Sequence, residues 1–351
     1  MKIVFFASNV VPFHAFTLKE RALGGTETAV IRLAEALSAL GHEVSVFTPF
    51  ENPPDSKPRY FHHSQIEAHG PVDALISVRD WIPSFYKIQA RCRFVWTGDS
   101  YDQFSNFGLG DKRVAGALDA LLTVSDWQAD KLSEASGFPR QKCWKLGNGI
   151  DLSLFEAQEE RQRRRLIYSS TPYRGLRHIP RFYAPLKEKY PDLECHIFSG
   201  YSIYNQAPND HYAEMLRDLQ QFPGVHVHDS IKQDQLAREF LKSSILFYPN
   251  EFEETSCITA MEAMAAGCVV LSSQLGALPE TVGDAGFLVA GMPGQPDYDQ
   301  SFIEHADQLL SNDALWKDLS EKGKLRAENL TWKKTAERLA QFLWLLMKQE
   351  R

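Results

Sequence analysis

Ile245-Leu246-Phe247-Tyr248 is followed by Pro249-Asn250-Glu251-Phe252-Glu253-Glu254 and then by Thr255-Ser256-Cys257-Ile258-Thr259-Ala260-Met261-Glu262-Ala263-Met264-Ala265-Ala266-Gly267. The first run is short and apolar and reads as a buried strand. The polar stretch after it reads as a loop, and the rest as a helix that Thr255 or Ser256 begins and Gly267 ends. Cys268 to Ser272 supplies the next strand, so the segment is a strand-helix-strand unit of a parallel sheet. Glu254 falls in the loop and Glu262 within the helix, with seven residues between them. At 1.5 Å per residue Glu262 stands about 6 to 9 Å beyond the helix start, a separation that suits an extended ligand. A diphosphate at that start would meet the N–H groups of Ser256, Cys257, Ile258 and Thr259 and the positive end of the helix dipole. Glu262 would then accept from ribose hydroxyls and Glu254 from sugar hydroxyls, with no metal required.

The same alternation extends in both directions. Toward the N-terminus, Ile3–Ala7, Val44–Thr48, Ala74–Val78, Phe94–Thr97 and Leu121–Val124 read as buried strands. A helix capped by Thr26 carries Val30, Leu33, Ala34, Leu37 and Leu40 at helical spacing and stops at Gly41. Ser125 with Gln128 is a capping box. Beyond a charged stretch near residue 160 the pattern restarts with Leu166–Ser169, a helix over about 176–189, and Cys195–Phe198. The chain thus reads as two doubly wound α/β units in tandem, and in such sheets ligands collect outside the carboxyl ends of the strands. A last helix over about 332–348 carries Ala336, Leu339, Phe342, Leu343 and Leu346 on one stripe, which is a packing face.

At 351 residues the length favours two domains. Residues 1–157 form the first, 158–330 the second, and 331–351 a helix that packs back toward the first. The net charge of −7 argues against a nucleic-acid binder. Arg161, Arg163, Arg164 and Arg165 form a local basic run that reads as solvated linker charge. The N-terminal apolar run is too short for a signal peptide or a membrane span, which places the protein in the cytoplasm, with membrane contact at most peripheral. Five scattered cysteines fit reduced thiols, without disulfide or zinc spacing. His226 and His228 alternate on a strand ahead of Asp229 and lack a third ligand and a second shell, so they read as strand residues rather than a metal site. Gly24 and Gly25 are not part of a Gly-x-Gly-x-x-Gly run, which leaves a nicotinamide site unsupported. Their task is close backbone approach to donor phosphates or acceptor.

The Glu254–Gly267 stretch resembles the Glu-seven-Glu motif of retaining GT-B glycosyltransferases, in particular glycosyltransferase family four. Gly24-Gly25-Thr26-Glu27, Gly41-His42-Glu43-Val44, Asn148-Gly149-Ile150-Asp151, Gly276 with Glu280, and Thr331-Trp332 fall in the order of that family's signatures, so the resemblance runs nearly end to end. It implies two Rossmann-like parallel-sheet domains facing across a cleft, the first binding acceptor and the second binding a nucleotide sugar. It also implies transfer of a sugar, with retention, from a nucleoside-diphosphate donor to an acceptor hydroxyl on a sugar, lipid-linked or other small molecule. No cofactor is implied. The setting, by analogy, is polysaccharide or glycoconjugate synthesis. In the loop Ser169-Ser170-Thr171-Pro172-Tyr173-Arg174-Gly175, Arg174 matches the family's basic residue before glycine, and its fork suits phosphate oxygens.

Three departures stand out. Ser169 and Ser170 occupy the region of a second basic residue, with Arg177 as a substitute. Ser256-Cys257 replaces a Phe-Gly pair. Asp99, in Thr97-Gly98-Asp99-Ser100, stands where the family has a histidine, and is the candidate to assist acceptor or sugar. The catalytic candidates are therefore Glu254, Arg174 and Asp99. Two rivals share the scaffold: a nucleotide-sugar 2-epimerase and a noncatalytic sugar-nucleotide binder.

Overall fold

The computed structural model describes residues 1–200 and 210–349. Two compact units divide the chain, one of Met1–Gly149 with Thr331–Arg351 and the other of Ile150–Leu330. The sequence-based boundary at 157/158 lies later, because Ile150 donates to Leu330 O at 2.8 Å and packs, with Leu152 and Phe155, on the second unit's core.

In the first unit the strands are β1 (Lys2–Phe6), β2 (Glu43–Thr48), β3 (Arg59–His62), β4 (Val72–Val78), β5 (Ala90–Trp96), β6 (Ala120–Thr123) and β7 (Cys143–Lys145). They pair in parallel in the order β3-β2-β1-β4-β5-β6-β7. Interior strands are buried along nearly their whole length, which is why they read as unbroken apolar runs. The helix Gly25–Ala39 is capped by Gly24 and not by Thr26. Gly24 is buried and in extended conformation, and Gly25 is the exposed first helical residue. Ser125 caps the helix Asp126–Ser136 by accepting from Gln128 N, but the Gln128 side chain bonds Val124 N and the carbonyls of Thr97 and Asp99. The C-terminal helix Trp332–Gln349 belongs to this unit: Phe342 stacks on Trp144 at 4.2 Å, and Arg338 donates to Leu146 O. Gly149 is needed for this return, since a Cβ there would lie 2.4 Å from Trp332 N.

The second unit has β8 (Arg165–Ser169), β9 (Glu194–Phe198), β10 (Val225–His228), β11 (Ile245–Tyr248), β12 (Val269–Ser273) and β13 (Gly286–Val289), all parallel, in the order β10-β9-β8-β11-β12-β13. The strand order reverses between β8 and β11. After β8 a 3-10 turn, Leu176–His178, precedes the helix Ile179–Lys189.

The arginine run is not solvated linker charge. Arg161 donates to the carbonyls of Ser243 and Ala266, and Arg163 lies 4.2 Å over the Trp316 ring and bonds Asp313. Arg164 lies over Tyr190, and Arg165 is buried in β8 against Glu239. Each guanidinium meets an aromatic face, a carboxylate or accepting backbone carbonyls of a distant segment, which offsets its charge and covers its stem. The five cysteines are buried and free. Among the described residues no helix is long and apolar enough to cross a membrane.

Candidate functional site

The reversal between β8 and β11 places two loops side by side at the carboxyl ends of the second sheet, where open α/β sheets bind ligands. The loop after β8 carries Arg174 and the loop after β11 carries Glu254. The backbones touch at Gly175, whose φ is +87° and whose added Cβ would lie 1.9 Å from Pro249 O. Only glycine tolerates both conditions. Tyr168 pins the first loop from beneath by donating to Thr171 O at 2.9 Å and Arg174 O at 3.3 Å. Asn250 shapes the second: its Oδ1 accepts from Phe252 N at 2.9 Å, and its own carbonyl accepts from Ser273 Oγ. The Glu254 backbone is fixed by Ala277 N, which donates to Glu254 O at 2.6 Å, beside Gly276, where an added Cβ would lie 2.5 Å from that oxygen.

At this junction Arg174 Nη1 donates to both oxygens of Glu254, at 2.7 and 2.9 Å. Tyr248 OH donates to Glu254 Oε1 at 2.6 Å, and Ser170 Oγ lies 3.4 Å from that hydroxyl. The Glu254 side chain is 4% exposed, whereas the arginine side chain is 24% exposed and lies over the Phe252 ring. Burial, reinforced by the Glu254 charge and opposed by Arg174, holds the Tyr248 phenol far above its usual range, so it remains a hydrogen-bond donor at all working pH values. The site is thus an oriented carboxylate beside a cation open to solvent. Tyr248 was not singled out in the sequence; the signal is a tyrosine ending a buried strand, whose hydroxyl must find a partner.

The helix begins at Ile258, later than Thr255 or Ser256, and runs to Ala266, with Cys257 as its cap at φ +67°. That left-handed cap is a conformation side chains resist, and it bends the chain sharply out of the Glu254 loop. Burial raises the Cys257 thiol well above its usual range, so it is not a thiolate. The first-turn N–H groups of Ile258 and Thr259 have no intrahelical partner by helix geometry. Ser256 is 2% exposed, and its Oγ has no hydrogen-bond partner among the described residues, while its carbonyl accepts from Thr281 Oγ1. Thr255 is half-buried. Glu262, one turn into the helix, is 6% exposed and accepts from Gln233 Nε2 at 2.9 Å.

Ser169 ends β8 and is buried; the Ser170 carbonyl accepts from Ser199 Oγ at 2.6 Å. Arg177 is bonded to Glu251, which also lies 3.1 Å from His178 Nε2, and its side chain is 66% exposed. Gly24, Gly25 and Asp99 belong to the first unit. There Asp99 is buried in a two-pronged pair with Arg79, at 2.8 and 2.9 Å, and accepts from Ser105 Oγ at 2.5 Å. Arg79 itself has φ +67°. Asp99 is therefore an anchored anion rather than a loop cap.

The orphaned Ser256 hydroxyl yields a test that separates ligand binding from stability. Removing a buried unsatisfied group does not weaken the free protein. Ser256→Ala is expected to leave Tm unchanged or raise it slightly and, on the diphosphate placement that the sequence implies, to weaken nucleoside-diphosphate binding by roughly 10- to 100-fold, about the loss of one charge-assisted hydrogen bond. Calorimetric titration beside thermal denaturation reads both.

Comparison with known proteins bears on the same unit. The family described as "Glycosyl transferases group 1" matches residues 158–326. The chain is 28% identical over 229 residues to the MMP alpha-(1->4)-mannosyltransferase of Mycolicibacterium hassiacum, covering 64% of this chain and 54% of that protein. The chain spans about half the length of the curated relatives it matches. Its fold is similar to that of sucrose-phosphate synthase from Thermosynechococcus elongatus, with TM-score 0.73, 16% identity, and 99% and 100% of the two chains covered. It is likewise similar to an Anabaena protein crystallised with UDP-glucose, with TM-score 0.72, 13% identity, and coverage of 98% and 99%.

Proposed function

We propose that the protein transfers a sugar, with retention and without a metal, from a nucleoside-diphosphate sugar to an acceptor hydroxyl; the match of residues 158–326 to the family described as "Glycosyl transferases group 1" and the GT-B fold support this reading. The observation that carries this reading is the Arg174–Glu254 pair at the point where the second sheet reverses, beside a helix start and an unpartnered buried hydroxyl at Ser256.

In this reading the diphosphate sits against the first-turn N–H groups of Ile258 and Thr259 and the Ser256 hydroxyl. Arg174 offsets the charge that grows on the leaving phosphate as the glycosidic bond breaks. Glu254, held by Tyr248, accepts from the sugar hydroxyls and fixes the ring, and Glu262 accepts from the ribose. Departure and attack on one face, with a β-phosphate oxygen taking the acceptor proton, then give retention. The chain's own contribution is orientation and preorganised charge. The mannosyltransferase relative supports transfer of a sugar, and the neighbour's complex with UDP-glucose supports a nucleotide-sugar donor.

Incubation of the protein with a panel of UDP-, GDP- and ADP-sugars, with and without simple sugar acceptors, tests the reading. A new glycoside with the donor's anomeric configuration by proton NMR is expected, formed at the same rate in the presence of a chelator. An isomerised sugar without acceptor would replace the reading by epimerisation, and binding without turnover by a noncatalytic role.

A further inference from the structure

The pairing of β9 with β10 creates a cluster outside the site just described. In their register His196 lies opposite His226 and Phe198 opposite His228, so alternate residues of both strands share one face. Glu194 precedes His196 by two positions and joins that face. The His196 ring stacks on His226 at 4.6 Å and on His228 at 5.4 Å. His196 Nε2 lies 3.3 Å from Glu194 Oε2, and His226 Nε2 lies 4.0 Å from Glu194 Oε1. One ligand atom from each of these three residues falls within 4.8 Å of the others. On the far side of the ring, His196 Nδ1 lies 3.2 Å from His228 Nε2.

We infer that Glu194, His196 and His226 form a binding site for one divalent transition-metal ion of the zinc class, with His228 orienting His196. Two imidazole nitrogens and one carboxylate oxygen are the donor set zinc prefers, and they leave a fourth position for water. Ligands around one tetrahedral zinc stand about 3.4 Å apart. The required closure is small and falls on Glu194 and His226, whose side chains are 44% and 46% exposed and can turn. The less mobile ligand, His196, has a 14% exposed side chain and is already set. In the metal-bound form its Nδ1–H donates to His228 Nε2, the outer hydrogen bond that metal-bound histidines characteristically make, and its Nε2 lone pair is left for the ion.

The further ligands that His226 lacks in the sequence, Glu194 and His196, come from the neighbouring strand, and His228 becomes the outer partner of His196. Arg165, the nearby cation on β8, pairs with Glu239, which also accepts from Lys242. Because β10 is at the sheet edge, the ion would clasp that strand to β9. Arg174 and Glu254 stand instead at the carboxyl ends of β8 and β11.

The test uses the full chain without a polyhistidine tag, stripped by chelator and titrated with zinc chloride in a calorimeter, with magnesium chloride as control. A single zinc equivalent is expected, with no magnesium binding, and zinc should raise Tm. Glu194→Gln and His226→Ala should each weaken zinc binding by at least about tenfold and remove the Tm shift. Both positions are solvent-facing, so the variants should melt, metal-free, near the parent. Absence of saturable zinc uptake, or either variant binding zinc as tightly as the parent, overturns the proposal.

Discussion

Glu254→Gln is expected to lower turnover by roughly 10²- to 10³-fold, the loss typical when one preorganised electrostatic group is removed from a transition state, while the protein melts close to the parent. Glutamine keeps the shape, and its amide oxygen still accepts from Tyr248 and Arg174 while its amide nitrogen gives up the second arginine contact, so the cavity stays filled at the loss of one hydrogen bond. The partner left behind, Arg174, is partly exposed and can turn to water. Arg174→Ala should show a different signature with the same catalytic loss. It strands a carboxylate whose side chain is 4% exposed, with Tyr248 as the hydroxyl donor still bonded to it. Breaking a buried pair from one side costs about 3–5 kcal/mol, so this variant should also lose stability. Steady-state kinetics on the folded fraction, beside thermal denaturation, separates the two. If Glu254→Gln turned over like the parent, the pair would be a structural ion pair and the transfer mechanism would lose its carboxylate.

Gly175→Ala should be the most damaging small substitution in the second unit. Its φ of +87° disfavours any side chain by about 1–3 kcal/mol, and the new Cβ would meet a backbone carbonyl, Pro249 O, at 1.9 Å. That oxygen cannot move without parting the loops that carry Arg174 and Glu254. A fall in Tm of several degrees is expected, at about 2–4 °C per kcal/mol for a domain of this size, together with loss of turnover. Gly137→Ala is the control. Gly137 ends the helix Asp126–Ser136 with φ +77°, but nothing lies within 4 Å of its added Cβ. It should suffer the backbone strain alone, about 1 kcal/mol. Equal effects at the two positions would show that the loop contact at Gly175 does not matter.

The interior of both sheets was legible because a strand covered on both faces must be apolar along its length. Ile245–Tyr248 was readable residue for residue for that reason. The strands that escaped, β3, β7 and β13, are all sheet edges. Their residues are half-buried or polar, as in the pattern of β3, where one residue of Arg59–His62 is fully buried. An edge strand is defined by the neighbour it pairs with more than by its own composition. The arginines at 161–165 were misread for a related cause. Arg163 and Trp316 are far apart in the chain, and no periodicity announces a guanidinium above a ring.

Residue order by itself determined the two α/β units, the placing of Glu254 in a loop and Glu262 in the helix after it, and the glycine that follows Arg174. These are consequences of local propensity and of apolar runs, which neighbouring residues settle among themselves. Tertiary structure alone decided that Arg174 and Glu254, 80 residues apart, bond to each other, that Tyr248 holds the carboxylate, that Ser256 keeps a buried hydroxyl without a partner among the described residues, and that Glu194 and His196 complete a cluster with His226. Each of those facts depends on which strands lie side by side. That order is set by how whole sheets bury their faces, and no short stretch of sequence contains it.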